Sequence, residues 1–241
     1  MKIKTLLLTA SLLALGIPGV KAADVIPEPY QAEVQQFSWT GFYAGGAGGW
    51  TIDGNADYQI PAAKDLGLDH ELGGPLLGGQ LGYLQQLGWL AIGAELQGLW
   101  SGIAGEKALY EGVLDTETEV QALALGKIKA GAAFDRFFVF GTGGYAGGEV
   151  QGSADLAYWS NQVDVSSHWK DSTWANGYFY GLGAAVAFTE RWSVGLEWNH
   201  IVLNDADFSN NVQGGRYDGM PLQANADINL DVLLATVNFR F

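Results

Sequence analysis

From Leu233 to the end of the chain every second residue is apolar: Leu233, Ala235, Val237, Phe239 and Phe241. Thr236, Asn238 and Arg240 lie between them. A period of two is the signature of a strand with one apolar and one polar face. The same alternation recurs upstream and predicts strands over 39–52, 76–86, 89–101, 120–134, 137–150, 174–188 and 192–203, with the last within 228–241. In the fourth, Val120, Ala122, Ala124, Ile128, Ala130, Ala132 and Phe134 share a face against Gln121, Lys127 and Lys129. In the seventh, Trp192, Val194, Leu196 and Trp198 alternate with Ser193, Gly195, Glu197 and Asn199.

The connections alternate in length. Leu87-Gly88, Asp135-Arg136 and Thr189-Glu190-Arg191 are tight turns, whereas 53–74, 102–118, 151–173 and 204–226 read as long acidic loops. All the turns then fall at one end and all the loops at the other, which is the layout of a transmembrane barrel. The prediction is an all-β fold: an eight-stranded antiparallel up-and-down β-barrel spanning a membrane.

In such a barrel the apolar parity meets lipid and the polar parity fills the inside, which eight strands leave just wide enough for side chains. The interior set predicted here is Gln80, Glu95, Gln97, Lys127, Lys129, Glu197, Asn199, Asn238 and Arg240. Glu95 falls near Lys127, and Lys127 and Lys129 are placed opposite Gly143 and Gly141. Two carboxylates then face two lysines and an arginine. An acid/base pair of Glu95 with Glu197 is the functional alternative, but their cationic neighbours favour an ion-pair network. Aromatics near strand ends suggest interfacial girdles: Trp39, Phe138, Trp192, Phe239 and Phe241 at the turn end, and Trp50, Trp100, Trp174 and Trp198 toward the loops. The last strand holds a conflict, because Asp231 falls on the lipid parity and Leu230, Val232 and Leu234 on the interior one. Either a bulge switches register near Leu233-Leu234, or Asp231 lies above the lipid.

The first residues have another purpose. Lys2 and Lys4 precede a short apolar run, Leu6 to Ile17, and Val20-Lys21-Ala22 supplies small residues for cleavage. Residues 1–22 are therefore expected to be a secretory signal, 23–38 a periplasmic leader and 39–241 the barrel. Without Lys2, Lys4 and Lys21, 9 basic residues remain against 26 acidic, a net charge of −17. That argues against nucleic acid as a partner, since phosphate contacts need a basic footprint. Cysteine is absent, which removes disulfides and thiolate metal sites.

His70 and His168 fall in predicted loops, near Tyr58 and Trp169, and are the candidate contacts for a loop ligand such as haemin. His200 sits on the apolar parity near the loop end of strand seven. No metal site and no cofactor is expected from these spacings.

Several segments resemble one family. They are Ala22-Ala23-Asp24-Val25, Phe37-Ser38-Trp39-Thr40-Gly41-Phe42-Tyr43, Phe134-Asp135-Arg136-Phe137 with Gly143-Gly144-Tyr145, and the Asn238-Phe239-Arg240-Phe241 terminus. They are similar to the small outer-membrane barrels of alphaproteobacteria, which include surface immunogens and haemin-binding proteins, often labelled porins. The resemblance implies an eight-stranded barrel inserted by the outer-membrane assembly machinery, and no single activity, since members are variously structural, adhesive or ligand-binding. The expected partners are outer-membrane lipid and lipopolysaccharide, with haemin or a host surface as further candidates. The expected function is a non-enzymatic structural or surface-interaction role with a side-chain-filled interior. A narrow porin or a haemin-binding receptor is the alternative.

Overall fold

The computed structural model describes residues 37–59, 70–109, 114–160, 163–211, 213–214, 219 and 221–241. The expected signal and most of the expected leader lie outside the described residues. Within them the chain runs β1 (Gly41–Gln59), β2 (His70–Glu71), β3 (Pro75–Leu87), β4 (Leu90–Leu109), β5 (Leu114–Phe134), β6 (Phe137–Ser160), β7 (Val163–Ala187), β8 (Trp192–Asn211) and β9 (Pro221–Arg240). Each long strand pairs antiparallel with the next, and β1 also pairs with β9. The sheet therefore closes on itself, and β2 is a two-residue addition to the edge of β1. The predicted class and the eight long strands are what the chain builds. Two of its tight turns need left-handed backbone: Gly88 (φ 64°) between β3 and β4, and Asp135 (φ 50°) between β5 and β6. Asp is one of the few side chains that tolerates that region.

Strand length departs from expectation. β5, β6 and β7 contain 21, 24 and 25 residues, whereas a tilted strand crosses the hydrocarbon core in about 9–11. Much of what reads as long loops is strand, including 53–59, 102–109, 151–160, 163–173 and 204–211. The outward faces of these extensions carry Asp53, Asp57, Glu106, Glu117, Glu119, Asp155 and Asp207, a polarity ordinarily associated with loops. Their inward positions hold Ile103, Val120, Val150, Trp169, Ala206 and Phe208, all buried.

Bulges interrupt the ladders at Thr51/Asp53 in β1, Trp100/Ile103 in β4, Val120/Ala122 in β5 and Leu203/Ala206 in β8. They lie just beyond the outward-facing Trp50, Trp100 and Trp174. Below this level the outer wall is the apolar band, with Leu77, Leu81, Leu96, Ile128, Leu182 and Leu196 exposed. Above it the outer wall is acidic and amide-rich. A bulge adds a residue to one strand and switches its parity, so β1 turns Trp50 outward below its bulge and buries Ala56 above it.

The conflict in the last strand resolves without a bulge in β9. Ile228, Leu230, Val232, Leu234 and Thr236 are all buried on one continuous parity. The irregularity is in the neighbouring β1, where Thr51 pairs with Val232 and Asp53 with Asp231. Asp231 faces outward, one row beyond Leu233, and its Oδ1 accepts from His200 Nδ1 at 3.0 Å.

The girdle prediction needs a correction at the turn end. Trp39 and Phe138 are buried inside the mouth of the barrel, where they pack at 5.4 Å between ring centroids. Trp192, Phe239 and Phe241 form a surface stack, with centroids 5.0 and 5.4 Å apart.

Candidate functional site

Three long strands converge on the middle of the barrel. β4 presents Glu95 and Gln97, β5 presents Lys127 and Lys129, and β8 presents Glu197 and Asn199, each on the inward parity. The ladder pairs Glu95 with Lys127. The same register sets Lys127 opposite Gly144 and Lys129 opposite Thr142, not opposite Gly143 and Gly141. The two-residue turn pairs Phe134 with Phe137, which moves each partner by one from the expected position.

The four charges form a closed cycle. Lys129 Nζ lies 2.8 Å from Glu95 and 3.1 Å from Glu197; Lys127 Nζ lies 3.4 Å from Glu95 and donates to Glu197 Oε1. Each cation thus meets both carboxylates, and the quartet is neutral as a whole. All four residues are buried. The neighbouring hydrogen bonds come from Tyr43, whose hydroxyl donates to Glu95 Oε2 at 2.7 Å, and from Asn199, whose amide donates to Glu197 Oε1 at 2.8 Å. Lys127 stands over the Phe179 ring and Lys129 over Phe140, at 5.7 and 4.9 Å from the centroids. Isolated buried ions would cost several kcal/mol each, and mutual pairing with added hydrogen bonds offsets that.

Beside the quartet runs an amide relay. Gln97 Nε2 donates to Gln80 Oε1 at 2.6 Å, and Gln80 Nε2 donates to Asn238 Oδ1 at 2.7 Å. Eight of the nine predicted interior residues thus meet in one layer or its edge. Arg240 does not join them. Its guanidinium lies at the barrel mouth, 4.4 Å from the Phe37 ring centroid and 5.5 Å from that of Trp39, and donates to the Ser38 carbonyl.

Tyr43 escaped the sequence reading. It lies on the inward parity of β1, in a run of Gly and Ala whose two faces look alike. Its ring lies against Gly82, where a Cβ would stand 2.6 Å from the ring and hydroxyl. The absence of a side chain at 82 is what lets the phenol reach Glu95. Thr142, Ser193 and Thr236 also line the interior, and their inward parity was the available signal.

The predicted loop contacts are not brought together by the described residues. His168 lies in β7, exposed, with Nδ1 against Asp155 Oδ1, and its backbone bridges to Gln213. Trp169 turns inward onto Phe208. The backbone of His70 pairs with Ala56, while its side chain and that of Tyr58 lie outside the described residues. Among the described residues no group of three or more His, Asp or Glu is placed to hold a metal ion.

The family model for the outer membrane protein beta-barrel domain matches residues 10–241. The chain belongs to that outer-membrane β-barrel family. Members of Brucella give the same answer: the 31 kDa outer-membrane immunogenic proteins of Brucella melitensis biotype 1 and Brucella suis biovar 1 are each 30% identical over 212 residues, covering 80% of this chain and 85% of the relative. Among solved structures, the outer membrane protein OprG from Pseudomonas aeruginosa aligns at 16% identity and a TM-score of 0.48, covering 87% of this chain and 99% of that one. The outer membrane protein AlkL in lipid bilayers aligns at 12% and 0.43, covering 95% and 98%. As a family member the protein resides in the cell outer membrane, which fixes the tight turns as periplasmic and the acidic extensions as extracellular.

Proposed function

We propose that the protein is a non-enzymatic structural and surface-interaction barrel whose interior does not conduct. The observation that carries this reading is the buried, charge-neutral Glu95–Lys127–Lys129–Glu197 cycle across the middle of the barrel. An ion crossing that layer would have to break pairs in which every charge already has two opposite partners. The carboxylates are held by cations on both sides, which removes the free base an acid/base mechanism needs. The long extracellular extensions support a role in contacts outside the cell, with lipopolysaccharide and outer-membrane lipid around the apolar band and the assembly machinery acting on the chain at insertion.

Planar-bilayer recording of the purified protein tests the reading. The expected result is a baseline without steady unitary steps. Reproducible single-channel conductance would overturn it in favour of a narrow porin.

A further inference from the structure

We infer that Phe37 to Thr40 form a removable strap that closes the periplasmic mouth, so that the barrel has two closures in series with a small hydrated vestibule between them. The strap has no regular secondary structure and is not part of the ladder that closes the barrel. It is nonetheless fastened at several points. The Trp39 N–H donates to Gln86 Oε1 at 2.8 Å, and the indole Nε1–H donates to the Asp135 carbonyl at 3.0 Å. The Phe37 N–H donates to Asp135 Oδ1 at 3.3 Å, and the Gln86 N–H donates to Thr40 Oγ1 at 3.0 Å. These partners are residues of, or beside, the periplasmic turns, so the strap is tied to the rim and not to the wall.

Two aromatics carry the closure. Phe37 and Trp39 are each 4% exposed and pack edge to face at 5.3 Å. The Arg240 guanidinium covers both rings, and Arg136 stands 5.3 Å from the Phe37 centroid. Cations over aromatic faces hold by the ring quadrupole. Here they come from the last strand and from a turn, on opposite sides of the mouth.

Behind the strap lies a cavity of about 40 Å³. Trp39 forms its floor, and Tyr43 and Lys129, both touching the quartet, reach its other end. Ser193, Thr236, Asn238 and Arg240 supply polar lining. A water needs about 10–15 Å³ of such space and two to four polar partners, so the vestibule suits a few water molecules. With the strap in place Phe37 and Trp39 cover the periplasmic side of that water. With the strap displaced, the quartet is the remaining barrier.

The absence of cysteine in the chain makes thiol labelling clean. Ser193→Cys places one thiol in the vestibule, below the quartet, and Ile201→Cys places one above it on the same strand and face. Each is made in the parent and in a Phe37→Ala/Trp39→Ala background, reconstituted in lipid vesicles and treated with a small water-soluble maleimide. The expected result is slow labelling at Ser193→Cys in the parent, a rise of about tenfold or more in the strap variant, as local opening allows, and protection of Ile201→Cys in both. Equal rates at Ser193→Cys in the two backgrounds, fast or slow, would overturn the proposal. Exposure of Ile201→Cys together with Ser193→Cys would also overturn it, by making the strap part of the barrel's fold. Arg240→Gln, which removes the stacked cation and keeps both rings, is expected to give an intermediate rate. Labelling reads water access below the quartet and conductance reads passage through it, so this proposal and the non-conducting reading fail separately.

Discussion

The barrel is two proteins built from the same strands. In the membrane band the outer wall is apolar and the interior holds the polar layer above an aromatic cluster at the mouth; above the bulges the outer wall is acidic and the interior is apolar. β8 shows the change on one uninterrupted parity: Ser193, Glu197 and Asn199 are followed by Ile201 and Leu203, all inward and buried. β9 does the same, with Asn238 and Thr236 giving way to Leu234, Val232, Leu230 and Ile228. The difference follows from the solvent on the outside. Lipid takes the apolar side chains of the lower wall, so polar groups must be satisfied inside. Water takes the acids of the upper wall, so the apolar residues collect inside as in any soluble sheet fold. The hydrogen-bonded wall is common to both regions because neither medium changes the need to pair backbone groups.

The largest effect that would sharpen this comparison is expected at the quartet. Lys127→Ala leaves two buried carboxylates sharing Lys129, and breaking a buried pair in this way costs about 3–5 kcal/mol. Replacing all four charges together, by Glu95→Leu, Glu197→Leu, Lys127→Met and Lys129→Met, is expected to be neutral or stabilising, by up to about 4 kcal/mol. Urea unfolding in lipid vesicles measures both. A quadruple variant as unstable as Lys127→Ala would mean that the lower interior requires charge, and not merely satisfied charge.

Legibility in the sequence follows the same division. In the membrane band period-two alternation, short turns and residue chemistry agree, so the strands and the inward direction of Glu95, Lys127, Lys129 and Glu197 can be read from the sequence. In the upper region they conflict. Asp53, Glu106 and Asp207 suggest loops, and the bulges beside them shift the apolar parity within a few residues, hiding the alternation that ends in Ala56, Ile103 and Phe208. Arg240 was assigned to the interior by parity, but parity does not give height, and it sits at the mouth with Phe37 and Trp39. Gly and Ala on both faces of β1 left Tyr43 without a contrasting neighbour to reveal its direction.

The next test places one substitution on the outer face of each region. Leu196→Arg puts a cation on the exposed apolar wall, with expected destabilisation of about 2–4 kcal/mol near the bilayer midplane. Asn229→Arg puts the same side chain outside the upper wall, beyond Asp231, where surface substitutions stay within about 0.5 kcal/mol. Unfolding free energies of the two variants in one lipid composition give the contrast. Equal costs would remove the boundary that the bulges and the outward tryptophans mark.

The smallest effect concerns the acidic wall itself. Glu117 pairs across the ladder with Glu106 and shares its face with Glu119. Partial burial, and then the charges of Glu119 and Glu106, push the Glu117 carboxyl above its ordinary value, against the opposing pull of Lys170. A carboxyl whose folded value is raised contributes stability below its unfolded value and loses it as pH rises through the folded one. The upper region is therefore expected to loosen slightly as pH climbs from acid toward neutral. Glu117→Gln should abolish that slope and stabilise the region at neutral pH by a few tenths of a kcal/mol, the scale of an exposed cross-strand like-charge pair. Hydrogen exchange of the upper strands at two pH values reads the change region by region, and added salt should shrink it. The amides of the membrane band should not respond, because Glu117 lies beyond the bulge at Val120/Ala122. A Glu117→Gln effect that spread into the band would mean that the two regions unfold as one unit despite their opposite construction.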